Sequence, residues 1–128
     1  MEAQSAHVFI VEDDQLLATA LSALVETLGY RVAGTAKTGE DAVRGVLQSK
    51  PQVVIMDMRL AGWMTGLDAA KSIRRDLEVP ILFYTALGGD SELKHEVACI
   101  GNAQLLQKPA QEQALVAALT GVLKWARR

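Results

Sequence analysis

The sequence predicts an α/β fold: a doubly wound sheet of five parallel strands with five helices between them. Three observations carry this. Five short apolar runs alternate with five longer segments of helical spacing. The connections hold no Asn-Gly hairpin signal and are unsuited to antiparallel pairing, so each strand passes into a helix before the next strand begins. Val53-Val54-Ile55-Met56 is apolar throughout and β-branched at its start, as a strand buried on both faces requires.

His7-Val8-Phe9-Ile10-Val11 is the first strand. Asp13 or Asp14 then caps a helix whose Leu17, Leu21, Leu24 and Leu28 follow i, i+4, i+7, i+11 spacing, with Gly29 as its stop. Tyr30 to Ala36 alternates only weakly and contains Gly34, which suits a short edge strand with Val32 inside. Thr38 opens the second helix, with Glu40 and Asp41 in its first turn and Val43, Val46 and Leu47 facing inward. Pro51 lies beyond its end. After the central strand, Met58 to Met64 forms a loop, and Thr65 caps a helix burying Leu67, Ala70, Ile73 and Leu77. Pro80 opens the fourth strand, which runs to Tyr84. Leu87-Gly88-Gly89-Asp90 is a loop, and Asp90 or Ser91 caps a helix carrying Leu93, Val97 and Ile100, closed by Gly101. Ala103 to Gln107 is the fifth strand. The last helix begins after Pro109 and buries Leu115, Leu119, Val122 and Leu123.

In a parallel sheet the carboxyl ends of the strands share one edge, and ligands bind there. The first strand stops at Glu12-Asp13-Asp14, the third at Asp57, the fourth at Thr85 and the fifth at Lys108. Three neighbouring carboxylates, Glu12, Asp13 and Asp57, repel one another unless a cation sits between them. All-oxygen ligands favour a hard ion, of which magnesium is the natural one. A carboxylate at such a site can also act as a nucleophile toward a phosphoryl group, giving an acyl phosphate. Lys108 is then available to pair with Asp57 or the incoming phosphate, and the Thr85 hydroxyl to donate to a phosphoryl oxygen.

Composition excludes other classes. The 128 residues fit one domain, 1–128, with a core that needs no disulfide, and no linker, repeat or output domain is apparent. A net charge of −2 argues against a dedicated nucleic-acid surface. No stretch is long and apolar enough to span a membrane and the N-terminus lacks a basic region, so a cytoplasmic protein without membrane contact is expected. The single Cys99 reads as a small buried or half-buried apolar residue. Arg74-Arg75 reads as a solvated face, and Arg127-Arg128 as favourable charge at a helix C-terminus. His7 and His95 read as structural or exposed, with no metal-ligand histidine spacing.

The acid pair in Val11-Glu12-Asp13, Asp57 after its apolar strand, Gly66 opening the third helix, Thr85-Ala86 and Lys108-Pro109 together resemble the receiver domain of two-component response regulators, over essentially the whole chain. The resemblance implies a flavodoxin-like sheet in the order 2-1-3-4-5. It implies Asp57 as phosphoacceptor and Asp13 as a direct Mg2+ ligand. Glu12 would be a ligand through water, and the backbone carbonyl of Arg59 a further one. Thr85 would bind the phosphoryl group, Ala86 would leave access to it, and Lys108 would pair with it. The implied partners are a histidine kinase or histidine phosphotransfer protein, and a downstream protein met by the fourth and fifth helices; a homodimer is compatible. The protein would then be no conventional enzyme but a signalling switch that takes part in its own phosphotransfer and dephosphorylation. The Lys108-Pro109 bond is usually cis in this family, although the sequence itself permits trans.

Several positions depart from the family pattern. The loop after Asp57 is one residue longer than usual and has Ala61 where proline is common. Leu105 stands at the usual aromatic switch position and Ala110 where an aromatic often follows Lys-Pro. Phe83-Tyr84-Thr85-Ala86 loosely resembles the Phe-Ala-Thr-Gly pattern of a subgroup without that aromatic, differing at two of four positions. The readout is therefore expected to pass through Leu87 to Asp90 and the helix after it. Trp63 and Met64 read first as a cover for the third helix and second as a partner contact; Trp125 reads first as packed along the last helix and second as a dimer contact.

Three competing readings remain for comparison. A flavin site would place a glycine- and hydroxyl-rich loop after the first strand, where Glu12-Asp13-Asp14 would repel phosphate. An aspartyl phosphatase would usually carry a second acid two residues after the nucleophile, where this chain has Arg59. The third is a receiver-like interaction module that acts without phosphorylation.

Overall fold

The computed structural model of the protein describes residues 6–126. The basic pair Arg127-Arg128 lies outside the described residues. Strands and helices alternate as β1 (His7–Val11), α1 (Gln15–Thr27), β2 (Arg31–Ala36), α2 (Gly39–Ser49), β3 (Val53–Met56), α3 (Gly66–Arg74), β4 (Ile81–Thr85), α4 (Ser91–Ile100), β5 (Ala103–Gln107) and α5 (Glu112–Ala126). All five strands pair in parallel, in the order β2-β1-β3-β4-β5. None of the described helices is long and apolar enough to cross a membrane.

Alternation along the strands divides the core between the two faces of the sheet. Phe9, Val11, Val54, Met56, Ile81 and Phe83 pack with α2, α3 and α4 through Val46, Ile73 and Val97. Val8, Ile10, Val53, Ile55, Leu82 and Tyr84 face α1 and α5 through Leu21, Val25, Leu119 and Val122. The three central strands are thus buried on both sides, which is why they read as unbroken apolar runs.

The caps settle alternatives that the sequence leaves open. Asp14 Oδ1 accepts from the Leu16 and Leu17 amides at 3.0 and 3.3 Å, which leaves the neighbouring Asp13 uncommitted. Asp90, not Ser91, caps α4, with Oδ1 accepting from the Glu92 amide at 2.9 Å. Thr65 and Asp68 form a reciprocal capping box at the start of α3. In α1 the fully buried stripe is Ala18, Leu21 and Val25, flanked by the half-buried Leu17, Leu24 and Leu28. The leucine spacing therefore traces the border of the buried face as well as its centre. Trp125 is half-buried against the α1–α5 core, in keeping with the packing reading.

Three expectations are corrected. Arg74 is not part of a solvated face: its side chain is only 11% exposed. Its guanidinium donates to the carbonyls of Val79 at 2.8 Å, Gly101 at 2.9 Å and Asn102 at 2.6 Å, tying the end of α3 to the turn between α4 and β5. Burial pushes its pKa below the ordinary arginine value, with Glu78 opposing the shift. Cys99 is exposed. The inward stripe of α4 is Leu93, Val97 and Ile100, and a residue two positions beyond Val97 lies about 200° around the helix from it. Trp63 lies beside α3 yet stays 74% exposed, so it fringes the helix without covering it. Met64 instead packs on the N-terminal end of α2, where a Cβ at Gly39 would come within 2.6 Å of its side chain.

Candidate functional site

The ladder between β1 and β3 brings Val11 opposite Met56, so the residues that follow, Glu12 and Asp57, leave the sheet side by side. Their backbones are held: the Asp57 amide donates to the Val11 carbonyl at 3.1 Å and the Glu12 amide to that of Ala36 at 2.9 Å. On the other side β4 pairs with β5 up to Thr85 opposite Gln107, and the Lys108 amide donates to the Thr85 carbonyl at 2.9 Å. Lys108 therefore leaves the sheet one residue later, reaching back toward the acids. The peptide bond that follows it, to Pro109, is cis.

Lys108 joins the two buried acids. Its Nζ lies 2.7 Å from Asp57 Oδ2 and 2.8 Å from Glu12 Oε1. The same ammonium lies 5.7 Å from the centroid of the Tyr84 ring, close enough for a cation–π attraction. Asp57 Oδ1 accepts from the Met58 amide at 2.7 Å, and Glu12 Oε2 from the Asp14 amide at 3.1 Å. Asp57 and Glu12 are buried, while Asp13 is exposed. Each of the three offers a carboxylate oxygen within 4.8 Å of the others. One lysine cannot neutralise three carboxylates. An all-oxygen donor set with this surplus of negative charge fits a hard divalent cation such as magnesium.

Charge and burial compete here. Burial pushes the Glu12 carboxyl above the ordinary glutamate value, and Asp57 adds to the shift. The hydrogen bonds from Lys108 and the Asp14 amide only partly counter it. Burial works against the Lys108 ammonium as well, but its bonds to Asp57 and Glu12 outweigh that and hold its pKa above the ordinary lysine value.

The other residues read from the sequence occupy the rim. Thr85 is buried, and its Oγ1 accepts from the Leu87 amide at 3.3 Å, which leaves its O–H without a protein acceptor among the described residues. Ala86 is exposed beside it. Arg59 is exposed in the bend after Asp57, and its carbonyl accepts no protein hydrogen bond among the described residues. The long loop it begins is pinned to the neighbouring loop by a bridge between Ala61 and Thr38 and by the Ala61 amide donating to the Lys37 carbonyl at 3.2 Å. Gly66 has a steric reason: a Cβ there would come within 2.0 Å of the Asp57 carbonyl oxygen. The N-terminal end of α3 can therefore abut the residue that carries the site.

Sequence reasoning missed two contributors. Tyr84 reads only as a strand residue, yet its hydroxyl accepts from the Ala110 amide at 3.1 Å and so holds the chain just after Lys108-Pro109. Gly88 reads as a flexible loop residue. Its real constraint is contact, because a Cβ there would meet the Gln107 Cα at 2.6 Å. The β4–α4 loop thus lies directly on the end of β5, next to Lys108. Nothing local signals this approach; two adjacent glycines are its only trace.

Comparison with known proteins agrees with this frame. The family model described as response regulator receiver domain matches residues 8–120. The phyllosphere-induced regulator PhyR of Methylorubrum extorquens is 41% identical over 64% of this chain, and the match covers 31% of PhyR. The chemotaxis protein CheY of Thermotoga maritima is 32% identical over 91% of this chain and 97% of its own length. The solution structure of the receiver domain of PhyR from Erythrobacter litoralis superposes with a TM-score of 0.84 at 31% identity, covering 97% of this chain and 94% of that one. The chain belongs to the response regulator receiver domain family, whose members are signalling switches of two-component systems.

Proposed function

We propose that this chain accepts a phosphoryl group on Asp57 from the phosphohistidine of a histidine kinase or histidine phosphotransfer protein, and that the modification changes a partner-binding surface. The observation that supports this most is the buried Asp57 carboxylate with Lys108 Nζ 2.7 Å from one oxygen, beside two further acids. An Asp57 oxygen attacks the phosphorus, the N–P bond breaks, and the imidazole leaves with the electron pair; the product is an acyl phosphate. Lys108 pairs with a phosphoryl oxygen and the free O–H of Thr85 donates to another. Exposed Ala86 leaves the approach clear. Glu12, Asp13, Asp57 and the Arg59 carbonyl would hold a magnesium ion, whose charge offsets that of the carboxylates and the phosphoryl oxygens.

The new group carries nearly two negative charges and draws Thr85 and the loop after it toward Asp57. Leu105 is packed against the α3–α4 face of the core and has no polar tip with which to follow. The change therefore passes through Leu87 to Asp90, of which Gly88 and Gly89 rest on Gln107, and into α4; the face made by α4 and α5 meets the downstream protein.

Phosphotransfer from a radiolabelled histidine kinase should label the wild-type protein when Mg2+ is present, and a chelator should stop the labelling without unfolding the domain. Asp57→Asn should remove it. Full labelling of that variant would overturn the assignment of Asp57. Equal partner affinity of phosphorylated and unphosphorylated protein would favour an interaction module that acts without phosphorylation.

A further inference from the structure

We propose that His95 and Cys99 on α4 form half of a tetrahedral binding site for Zn2+, and that a second copy of this chain supplies the other half through the same two residues. The sequence has no metal-ligand histidine spacing, and its Cys99 reads as buried or half-buried. The structure instead places an imidazole and a thiol one helical turn apart on an exposed face, with Cys99 Sγ 3.6 Å from His95 Nε2.

That separation is the bite a single zinc ion needs. With Zn–S about 2.3 Å and Zn–N about 2.0–2.1 Å at a tetrahedral angle, the two donor atoms stand roughly 3.6 Å apart. The pair is therefore set to take the ion with little rearrangement. The donors are also of the right type: thiolate and neutral imidazole select zinc-like ions, whereas the Glu12–Asp13–Asp57 cluster is all oxygen and selects hard ones. Binding through Nε2 needs neutral imidazole, and the thiol proton is released to the buffer as the S–Zn bond forms.

One chain cannot complete the coordination. Glu96, which shares this side of the helix, is turned toward Lys71 of α3 with Nζ–Oε1 at 3.5 Å. The three-residue carboxylate cluster at the strand ends is the only group of three or more ligand side chains among the described residues, so no third donor stands beside His95 and Cys99. Zinc in a closed site takes four ligands, and a two-fold pairing of α4 against its copy gives a His2Cys2 set. Val97 is the only fully buried residue of α4, which leaves its outer face open to such a neighbour.

The test uses the full chain in a non-chelating reductant with excess Mg2+ to occupy the carboxylate site. Half an equivalent of Zn2+ should convert monomer to dimer in sedimentation velocity, and Co2+ in its place should give a sulfur-to-metal charge-transfer band. Cys99→Ser and His95→Gln should each lose the dimer, and Cys99→Ser the band, while keeping the wild-type far-ultraviolet circular dichroism because both side chains are exposed. A wild-type chain that stays monomeric with Zn2+, or that binds one ion per chain, overturns the proposal. So does a dimer that both variants retain, or one that forms without metal and dissolves in reductant, which would be a Cys99 disulfide.

Discussion

α3 and α4 lie on the same face of the sheet and are almost equal in length, nine and ten residues, yet they are attached very differently. α3 buries Gly66, Ala69, Ala70 and Ile73; two alanines and a glycine bring its axis close, and its first turn touches the Asp57 backbone. α4 buries only Val97 and leans on the sheet through the half-buried Leu93 and Ile100. A helix with few buried apolar contacts opens or shifts at low free-energy cost, whereas one locked by several moves only with the core. The candidate site is thus framed by a fixed element on the side of Asp57 and by a yielding one on the side of Thr85 and Lys108, as a switch requires: a stable platform for the chemistry and a movable neighbour for the readout.

The sharpest way to break this contrast is to hollow out each helix in turn. Ile73→Ala removes a fully buried side chain and should cost about 2–5 kcal/mol in urea unfolding. Val97→Ala removes two carbons and should cost about 1–2 kcal/mol. Equal losses would mean that α4 is as firmly built in as α3.

Arg74 is the strap between the two sides. Arg74→Met keeps the stem and removes the donors, leaving the carbonyls of Val79, Gly101 and Asn102 to find water. A loss of about 1–3 kcal/mol is expected. Amide exchange at the end of α4 should accelerate more than that of α3; the reverse pattern would show that the strap serves α3 instead.

Gly88→Ala probes the yielding side directly. Its Cβ has no room against Gln107, so the β4–α4 loop must lift, at a cost near the low end of about 1–3 kcal/mol. Hydrogen exchange should rise across residues 86–95 and stay unchanged in α3. Protection unchanged across 86–95 would remove this loop from the proposed readout path.

How far the sequence carried depends on whether a residue's neighbours are local or distant. β3, β1 and β4 were readable because burial on both faces demands unbroken apolar runs, and their ends placed Glu12, Asp57 and Thr85 on one edge. α3 was readable from Thr65, Gly66 and Ile73. The failures fall on both sides: Arg74 and Trp63 belong to α3 and its approach, Cys99 and Gly88 to α4 and the loop before it. Arg74 looks like any surface arginine until two of its three carbonyl partners, Gly101 and Asn102, the farther 28 positions away, are brought to it by the turn between α4 and β5. Cys99 looks apolar, but the buried stripe of α4 is too narrow to include it. Gly88 carries a steric constraint imposed by a strand nearly twenty residues on. Arg74 and Gly88 depend on tertiary approach, which neither spacing nor propensity encodes, whereas the exposure of Cys99 follows from its angle to the stripe of Leu93, Val97 and Ile100.

The smallest expected effect comes from Glu12 and should be indifferent to the contrast between the helices, which makes it a control on the site itself. Burial raises the Glu12 pKa above the ordinary glutamate value in the folded protein, against the pull of Lys108. For a carboxyl raised in this way, the folded state holds its proton more tightly than the unfolded chain. Its contribution to stability is then fully present below the unfolded value and is lost as pH rises through the raised one. Without metal, wild type should gain stability relative to Glu12→Gln as pH falls from neutral into the glutamate range, read as the difference in urea midpoints at each pH. Magnesium should cancel that gain, because it binds the ionised cluster and releases protons. A wild-type advantage that instead shrinks with falling pH in metal-free buffer would mean that Lys108, not burial, governs Glu12, and that the cluster is already neutralised without a cation.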